Sequence, residues 1–248
     1  MKPFALVTGC SRGIGAATVG RLLERGWEVL GISRRLDCEH QGVEGFHHQR
    51  LDLADLEMTS VYLTGAFHEI AQLDQRPRVG LVNNAGRLNP IGPLSRIGLR
   101  DLDAALRMNA AVPAWLAGHI ASEVRSAPCR IVSLSSGAAT RAYPGWGAYC
   151  ASKSALRMAD EVLAIELDEF PELAGCDTRV FSYSPGVVAT EMQEQIRKID
   201  VADFPRRERF DELHESGQLV PPEEPALEIV ELLESGAGPR HQALRYQG

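Results

Sequence analysis

Phe4-Ala5-Leu6-Val7-Thr8-Gly9-Cys10-Ser11-Arg12-Gly13-Ile14-Gly15 decides the fold. A short apolar run meets a glycine-rich turn, and Val19, Leu22 and Leu23 then recur at helical spacing. The reading is strand, glycine turn, helix. Glycines at such a turn let the backbone double back tightly and approach a pyrophosphate closely, while the free N–H groups of the new helix favour its negative charge. A glycine turn can also be purely steric, but its position directly after the first strand points to a dinucleotide.

Working outward, a second strand over Glu28 to Ile32 ends at Ser33-Arg34-Arg35. An NAD-binding fold usually presents a carboxylate to the ribose hydroxyls near this point. None stands here. Arg34 and the loop residue Arg12 place guanidinium groups where a 2′-phosphate would lie, which favours NADPH over NADH. Further strand-like runs at Val79 to Val82, Arg130 to Leu134 and Arg179 to Tyr183 alternate with longer helical patterns. That alternation predicts an α/β fold, a single-domain Rossmann fold over 1–248 with a doubly wound parallel sheet of about seven strands and helices on both faces. Ligands then belong at the carboxyl ends of the strands, where Gly9, Ser33, Asn83, Ser136 and Pro185 fall.

A second constellation lies downstream. The segment after Gly147 has helix-forming composition, so Tyr149 and Lys153, four apart, share a helical face. An ammonium beside the phenol is expected to lower its pKa and make Tyr149 a proton donor to a forming alkoxide. Ser136 follows an apolar β-like run and can bring its hydroxyl to the same carbonyl oxygen.

Taken together, these residues resemble the short-chain dehydrogenase/reductase family over nearly the whole chain. Thr8 to Gly15 is similar to the family's cofactor loop, which implies contacts from Gly9, Ser11, Arg12, Gly13, Ile14 and Gly15, and Asp52-Leu53 is similar to its adenine-contacting pair. Asn83-Asn84-Ala85-Gly86 resembles the segment after the fourth strand, implying cofactor contacts from Asn83, Ala85 and Gly86. Asn109 falls where the family keeps an asparagine that holds a water in a proton relay, and Ser136, Tyr149 and Lys153 match the rest of its catalytic tetrad. Tyr149 and Lys153 also reach the cofactor. Pro185 to Thr190 resembles the turn on the nicotinamide carboxamide, implying Pro185, Gly186, Val188 and Thr190.

Within the family, Ala142 to Cys150 and Tyr183 to Gly186, followed by Thr190-Glu191-Met192-Gln193, resemble the sepiapterin reductase and microbial benzil reductase group. One departure bears on substrate. Where pterin-specific members carry an aspartate, the tail has Leu244 or Arg245, and no Asp follows Asp211. The resemblance implies an NADPH-dependent carbonyl reductase of ketones or benzil-like diketones, with substrate held by Ser136, Tyr143, Trp146 and Tyr149 under a lid of approximately 189–215. Alternatives are a pterin ketone reductase, the reverse alcohol dehydrogenase reaction, and a non-catalytic NADPH sensor, which would not need the whole tetrad. It further implies a homodimer or homotetramer.

A net charge of −7 argues against nucleic acid or an anionic membrane as partner, and the resemblance implies a small-molecule carbonyl substrate. Arg206-Arg207-Glu208-Arg209 reads as a solvated helix face. Five cysteines without paired spacing, no signal peptide and no long apolar span lead to an expected cytoplasmic protein. Adjacent His47 and His48 lack zinc-site spacing and no cluster completes them in sequence, so no metal is expected. Trp27 and Trp115 read as core or interface residues.

Overall fold

The computed structural model describes residues 1–173 and 177–247, leaving aside the side chains of Ala66, Glu69 and Asp74. Cys176 lies outside the described residues. Strands β1 (Phe4–Thr8), β2 (Glu28–Ser33), β3 (Phe46–Arg50), β4 (Val79–Asn83), β5 (Cys129–Leu134), β6 (Thr178–Ser184) and β7 (His241–Arg245) form one sheet in the order β3-β2-β1-β4-β5-β6-β7. Every pairing is parallel. Helices α1 (Gly13–Glu24), α2 (Leu56–Thr64), α3 (Ala66–Ala71), α4 (Leu99–Leu106), α5 (Val112–Glu123), α6 (Gly147–Glu169), α7 (Glu191–Arg197), α8 (Glu208–Glu215) and α9 (Glu223–Glu234) connect and cover it.

The period-two geometry of a strand explains both covered faces. Phe4 and Leu6 of β1 point into a core shared with Val112, Leu116 and Ile120 of α5 and Leu163 and Leu167 of α6. Ala5 and Val7, one residue out of phase, point to the opposite core with Val19 and Leu22 of α1 and Ile229, Val230 and Leu233 of α9. Strand β1 is therefore buried on both sides, and its unbroken apolar run follows from that. Edge strands β3, Phe-His-His-Gln-Arg, and β7, His-Gln-Ala-Leu-Arg, are polar and largely part-exposed. Their composition hides them in the sequence because an edge buries less of each residue.

Strand order reverses between β1 and β4, which opens a crevice at the carboxyl ends of the central strands. The segment 189–215 carries α7 and α8 and docks over that end. Its Ile196, Phe204 and Phe210 pack with Leu88, Trp146 and Tyr149 in a third apolar cluster. Phe204 is fully buried and stacks on Trp146 with ring centroids 4.5 Å apart and planes 7° from parallel.

Candidate active site

The β1–α1 turn is shaped by close backbone approach. Gly9 has φ +69°, and a Cβ there would lie 2.8 Å from the Asn84 Nδ2; a Cβ on Gly15 would come within 2.2 Å of the Gly9 carbonyl oxygen. Only glycine fits either place. Asn84 holds the turn: its side-chain amide donates to the carbonyls of Thr8 and Gly9 at 2.9 and 3.0 Å, while Thr8 Oγ1 accepts from the N–H groups of Asn84 and Ala85. Helix α1 starts beside it with no side-chain cap and no acidic residue in its first turn. Its leading N–H groups therefore remain available to an anion, and this cradle fits a dinucleotide pyrophosphate.

The resulting cleft is lined by Gly9, Ser11, Arg12, Gly13, Ile14, Ser33, Arg34, Asp52, Leu53, Ala85, Gly86, Tyr149, Lys153, Pro185 and Thr190, all expected from the sequence. Asn83 is turned away: its Nδ2 donates to the Pro113 carbonyl oxygen at 3.0 Å, and Asn84, the next residue, takes its place at the wall. Gly15 supports the turn without lining the cleft. Positive charge gathers at one end of this cleft. Arg35 as well as Arg34 reaches it, and Arg12 and Arg35 both pair with Glu191 at the start of α7. Long-range pairs of this kind leave no signal in sequence spacing.

Toward the other end lie Ser136, just past β5, and Tyr149 and Lys153 on α6. The Lys153 Nζ donates to the Leu134 carbonyl oxygen at 2.6 Å and sits 5.9 Å from the Tyr149 ring centroid. The expected lowering of the Tyr149 pKa is not found. Burial raises the phenol to about 12, with the Ser136 hydroxyl pulling the other way, because desolvation penalises phenolate more than its neighbours favour it. Burial likewise brings Lys153 down to about 8, opposed by the charge of Asp160.

Asp160 was missed in the sequence. It is buried, accepts from Ser133 Oγ at 2.9 Å and Ser182 Oγ at 2.8 Å, and burial raises its pKa to about 7. Asn109 lies in a π turn, Arg107–Ala111, between α4 and α5. Its side chain does not face the cleft: Oδ1 accepts from Arg87 N and Nδ2 donates to Arg87 O, both at 2.8 Å, with a further bond to Ser152 Oγ at 3.1 Å.

A second cavity of about 370 Å³, the size of a small-molecule site, opens from the same floor. Tyr149 lines both spaces, together with Ile14, Ser135, Pro185, Thr190 and Met192. Ser136, Tyr143, Trp146, Leu88, Ile196 and Phe210 give it an apolar and aromatic wall, and Val188 and Gly186 close one side. No carboxylate lines it among the described residues, whereas Arg141, Arg157, Arg209 and Arg245 do. Arg209 borders the cavity yet stays exposed, as expected of a solvated face, and Arg206 lies over the Tyr143 ring at 5.4 Å. Leu244 and Arg245 do border the cavity.

Two other expectations are corrected or refined. The two adjacent histidines part company: His47 pairs with Glu28, whereas the fold gathers His48 with Cys10 and Cys38, from three separate segments. Trp27 is core, whereas Trp115 is 41% exposed on α5. Among the described residues no helix is long and apolar enough to cross a membrane.

Residues 3–200 match the family model for short chain dehydrogenases. Over 234 residues the chain is 34% identical to "Benzil reductase ((S)-benzoin forming)" of Bacillus subtilis, covering 93% of each protein, and 31% identical over 250 residues to the protein of the same name from Bacillus cereus, covering 98% of each. It is also 31% identical over 245 residues to sepiapterin reductase of Rattus norvegicus, covering 92% of this chain and 90% of that one. Its fold superposes on the crystal structure of the KRED1-Pglu enzyme with a TM-score of 0.82 at 27% identity, over 98% of this chain and 100% of that one. A glycine cradle, a seven-stranded parallel sheet and these relatives agree, and the chain belongs to the short-chain dehydrogenase family of nicotinamide-dependent oxidoreductases.

Proposed function

We propose that this protein is an NADPH-dependent reductase of ketones or diketones, with Tyr149 as the general acid. The observation that carries the reading is the position of Tyr149, on the wall shared by the nucleotide cleft and the apolar cavity. A nicotinamide cofactor supplies hydride to a carbonyl carbon when bound. The chain supplies everything that acts on the oxygen. Ser136 orients and polarises it, and Tyr149 gives it a proton. A phenol near 12 stays protonated at neutral pH and is still more acidic than the alcohol being formed, so it donates in the required direction. Lys153, anchored on Leu134, holds the ribose and faces the phenolate left after transfer until solvent returns its proton, while Asn109 pins the Arg87 backbone beside them. Gly9 to Gly15 hold the pyrophosphate, and Arg12, Arg34 and Arg35 hold the 2′-phosphate. The same residues run the alcohol dehydrogenase direction when the oxidised cofactor is in excess.

For substrate, the absence of a lining carboxylate and the place of Leu244 and Arg245 favour a flat aromatic diketone over a pterin, which would lack a charge-assisted anchor. Residues 189–215 act as a lid through Phe204 and Phe210. We place the enzyme in the cytoplasm as a homo-oligomer, a single domain over 1–248. Benzil and sepiapterin offered together at equal concentration, with products separated, test the assignment. Benzil should be reduced at one carbonyl with the higher kcat/KM; preferential consumption of sepiapterin would overturn it.

A further inference from the structure

Two thiols and an imidazole are gathered at the adenosine end of the sheet, and the chemistry above uses none of them. Cys10 follows Gly9 in the β1–α1 turn, Cys38 lies in the connection from β2 to β3, and His48 sits on β3 opposite Gly31. Cys10 Sγ and Cys38 Sγ are 3.8 Å apart, and the ligand atoms of all three residues lie within 4.8 Å of one another. Ser33 closes the group, with Oγ 3.6 Å from Cys38 Sγ and 2.9 Å from His48 Nε2. Both cysteines are buried. The site is built by the sheet itself: a Cβ on Gly31 would fall 2.6 Å from Cys10 Sγ and 2.7 Å from Phe46 Cε2. Phe46 in turn stacks on the His48 ring, 6.3 Å between centroids and 16° between planes.

We propose that Cys10, Cys38 and His48 bind one thiophilic divalent cation, with zinc the fitting ion and the fourth position on the Ser33 side, filled by its hydroxyl or by water. Zinc–sulfur bonds of about 2.3 Å in a tetrahedron separate two sulfurs by about 3.8 Å. That is the edge the two thiols already span. Nitrogen and oxygen ligands at about 2.0 to 2.1 Å stand about 3.3 Å apart, so the Ser33 to His48 contact opens by about 0.4 Å as metal bonds replace its hydrogen bond.

Charge favours the same ion. On binding, two thiols lose their protons to solvent, and two thiolates with a neutral imidazole neutralise a divalent charge inside the protein. Sulfur and nitrogen donors without a carboxylate exclude magnesium and calcium as the natural occupant. A bound ion would tie the pyrophosphate turn to the β2–β3 connection and to β3. The rival for the same atoms is a Cys10–Cys38 disulfide, whose bond of about 2.05 Å would require the two sulfurs to close from 3.8 Å.

The full chain, reduced and stripped by chelator, should be titrated anaerobically with Co²⁺ and then Zn²⁺. One Co²⁺ per chain should bind, with a thiolate-to-cobalt charge-transfer band and the visible spectrum of a four-coordinate ion, and one Zn²⁺ should displace it. Cys38→Ser and His48→Gln should each weaken binding roughly tenfold or more. Near-UV circular dichroism shows that the variants are folded. Absence of the charge-transfer band, affinity unchanged in both variants, or quantitative Cys10–Cys38 disulfide formation under mild oxidant despite stoichiometric Zn²⁺ would each overturn the proposal.

Discussion

Arg35 and Glu191 meet across the mouth of the nucleotide cleft, Nη2 to Oε2 at 3.3 Å, and Arg12 pairs with the same carboxylate. The carboxylate thus stands between two guanidinium groups where a 2′-phosphate is proposed to sit. Glu191→Gln should therefore tighten NADPH binding by about three- to fivefold, the scale of a partly exposed ion pair. Arg34→Asp should narrow or invert the preference for NADPH over NADH. Titration of nucleotide fluorescence measures both; unchanged affinity in the first variant, or equal affinities for the two nucleotides in the parent protein, would defeat the charge argument.

Tyr149 and Lys153 share α6 but play different parts. Tyr149→Phe should abolish turnover while leaving NADPH affinity nearly intact, because the phenol is proposed to act on the carbonyl oxygen. Lys153→Ala should harm both. If the Phe variant retains more than about a tenth of the parent rate, a barrier change of roughly 1.4 kcal/mol or less, another group is the main acid.

Asp160 predicts a pH dependence of stability. Its carboxyl titrates near 7 in the fold against an ordinary 3.8, so between those values the native state holds a proton that the unfolded state has lost. Stability from this group is complete below about 4 and is lost as pH rises through about 7. Lys153, brought down to about 8, acts above this window, and His241, held below its ordinary value by burial, contributes with the opposite sign on the acid side. Glu161 is the remaining charge acting on Asp160. In urea unfolding from pH 5 to 7.5, Asp160→Asn should flatten the falling slope of the parent protein. An identical slope in the two proteins assigns the effect elsewhere.

The proposed oligomer has a candidate face. Met158, Val162 and Ile165, one side of α6, are 59%, 42% and 57% exposed, and Trp115 of neighbouring α5 is also open. Apolar side chains gathered into one exposed patch, unlike singly scattered ones, mark an association surface. Ile165→Asp should lower the assembly to a smaller species in light scattering after size exclusion, with secondary structure unchanged. A parent protein that elutes as a monomer would remove this face from consideration.

Central strands were legible in the sequence because burial on both faces demands unbroken apolar runs, as in Phe4 to Val7. Edge strands β3 and β7 were not, since half-exposed residues such as His47 and Arg245 carry no such demand. The sign of the Tyr149 shift was misread for a related reason. Spacing shows that Lys153 is near the phenol, whereas burial, the larger effect, is a property of the packed whole.

What the sequence determined by itself is local: the strand, glycine turn and helix from Phe4 onward, the helical pairing of Tyr149 with Lys153, and the arginines after β2. Each depends on residues within one or two turns, where chain geometry alone fixes who can meet whom. Only the tertiary structure decided that Glu191 reaches Arg12 and Arg35, that Asp160 accepts from both Ser133 and Ser182, and that Cys10, Cys38 and His48 converge. Those meetings depend on strand order and on loops crossing the sheet edge, and contacts between segments distant in the chain leave no periodic trace in it.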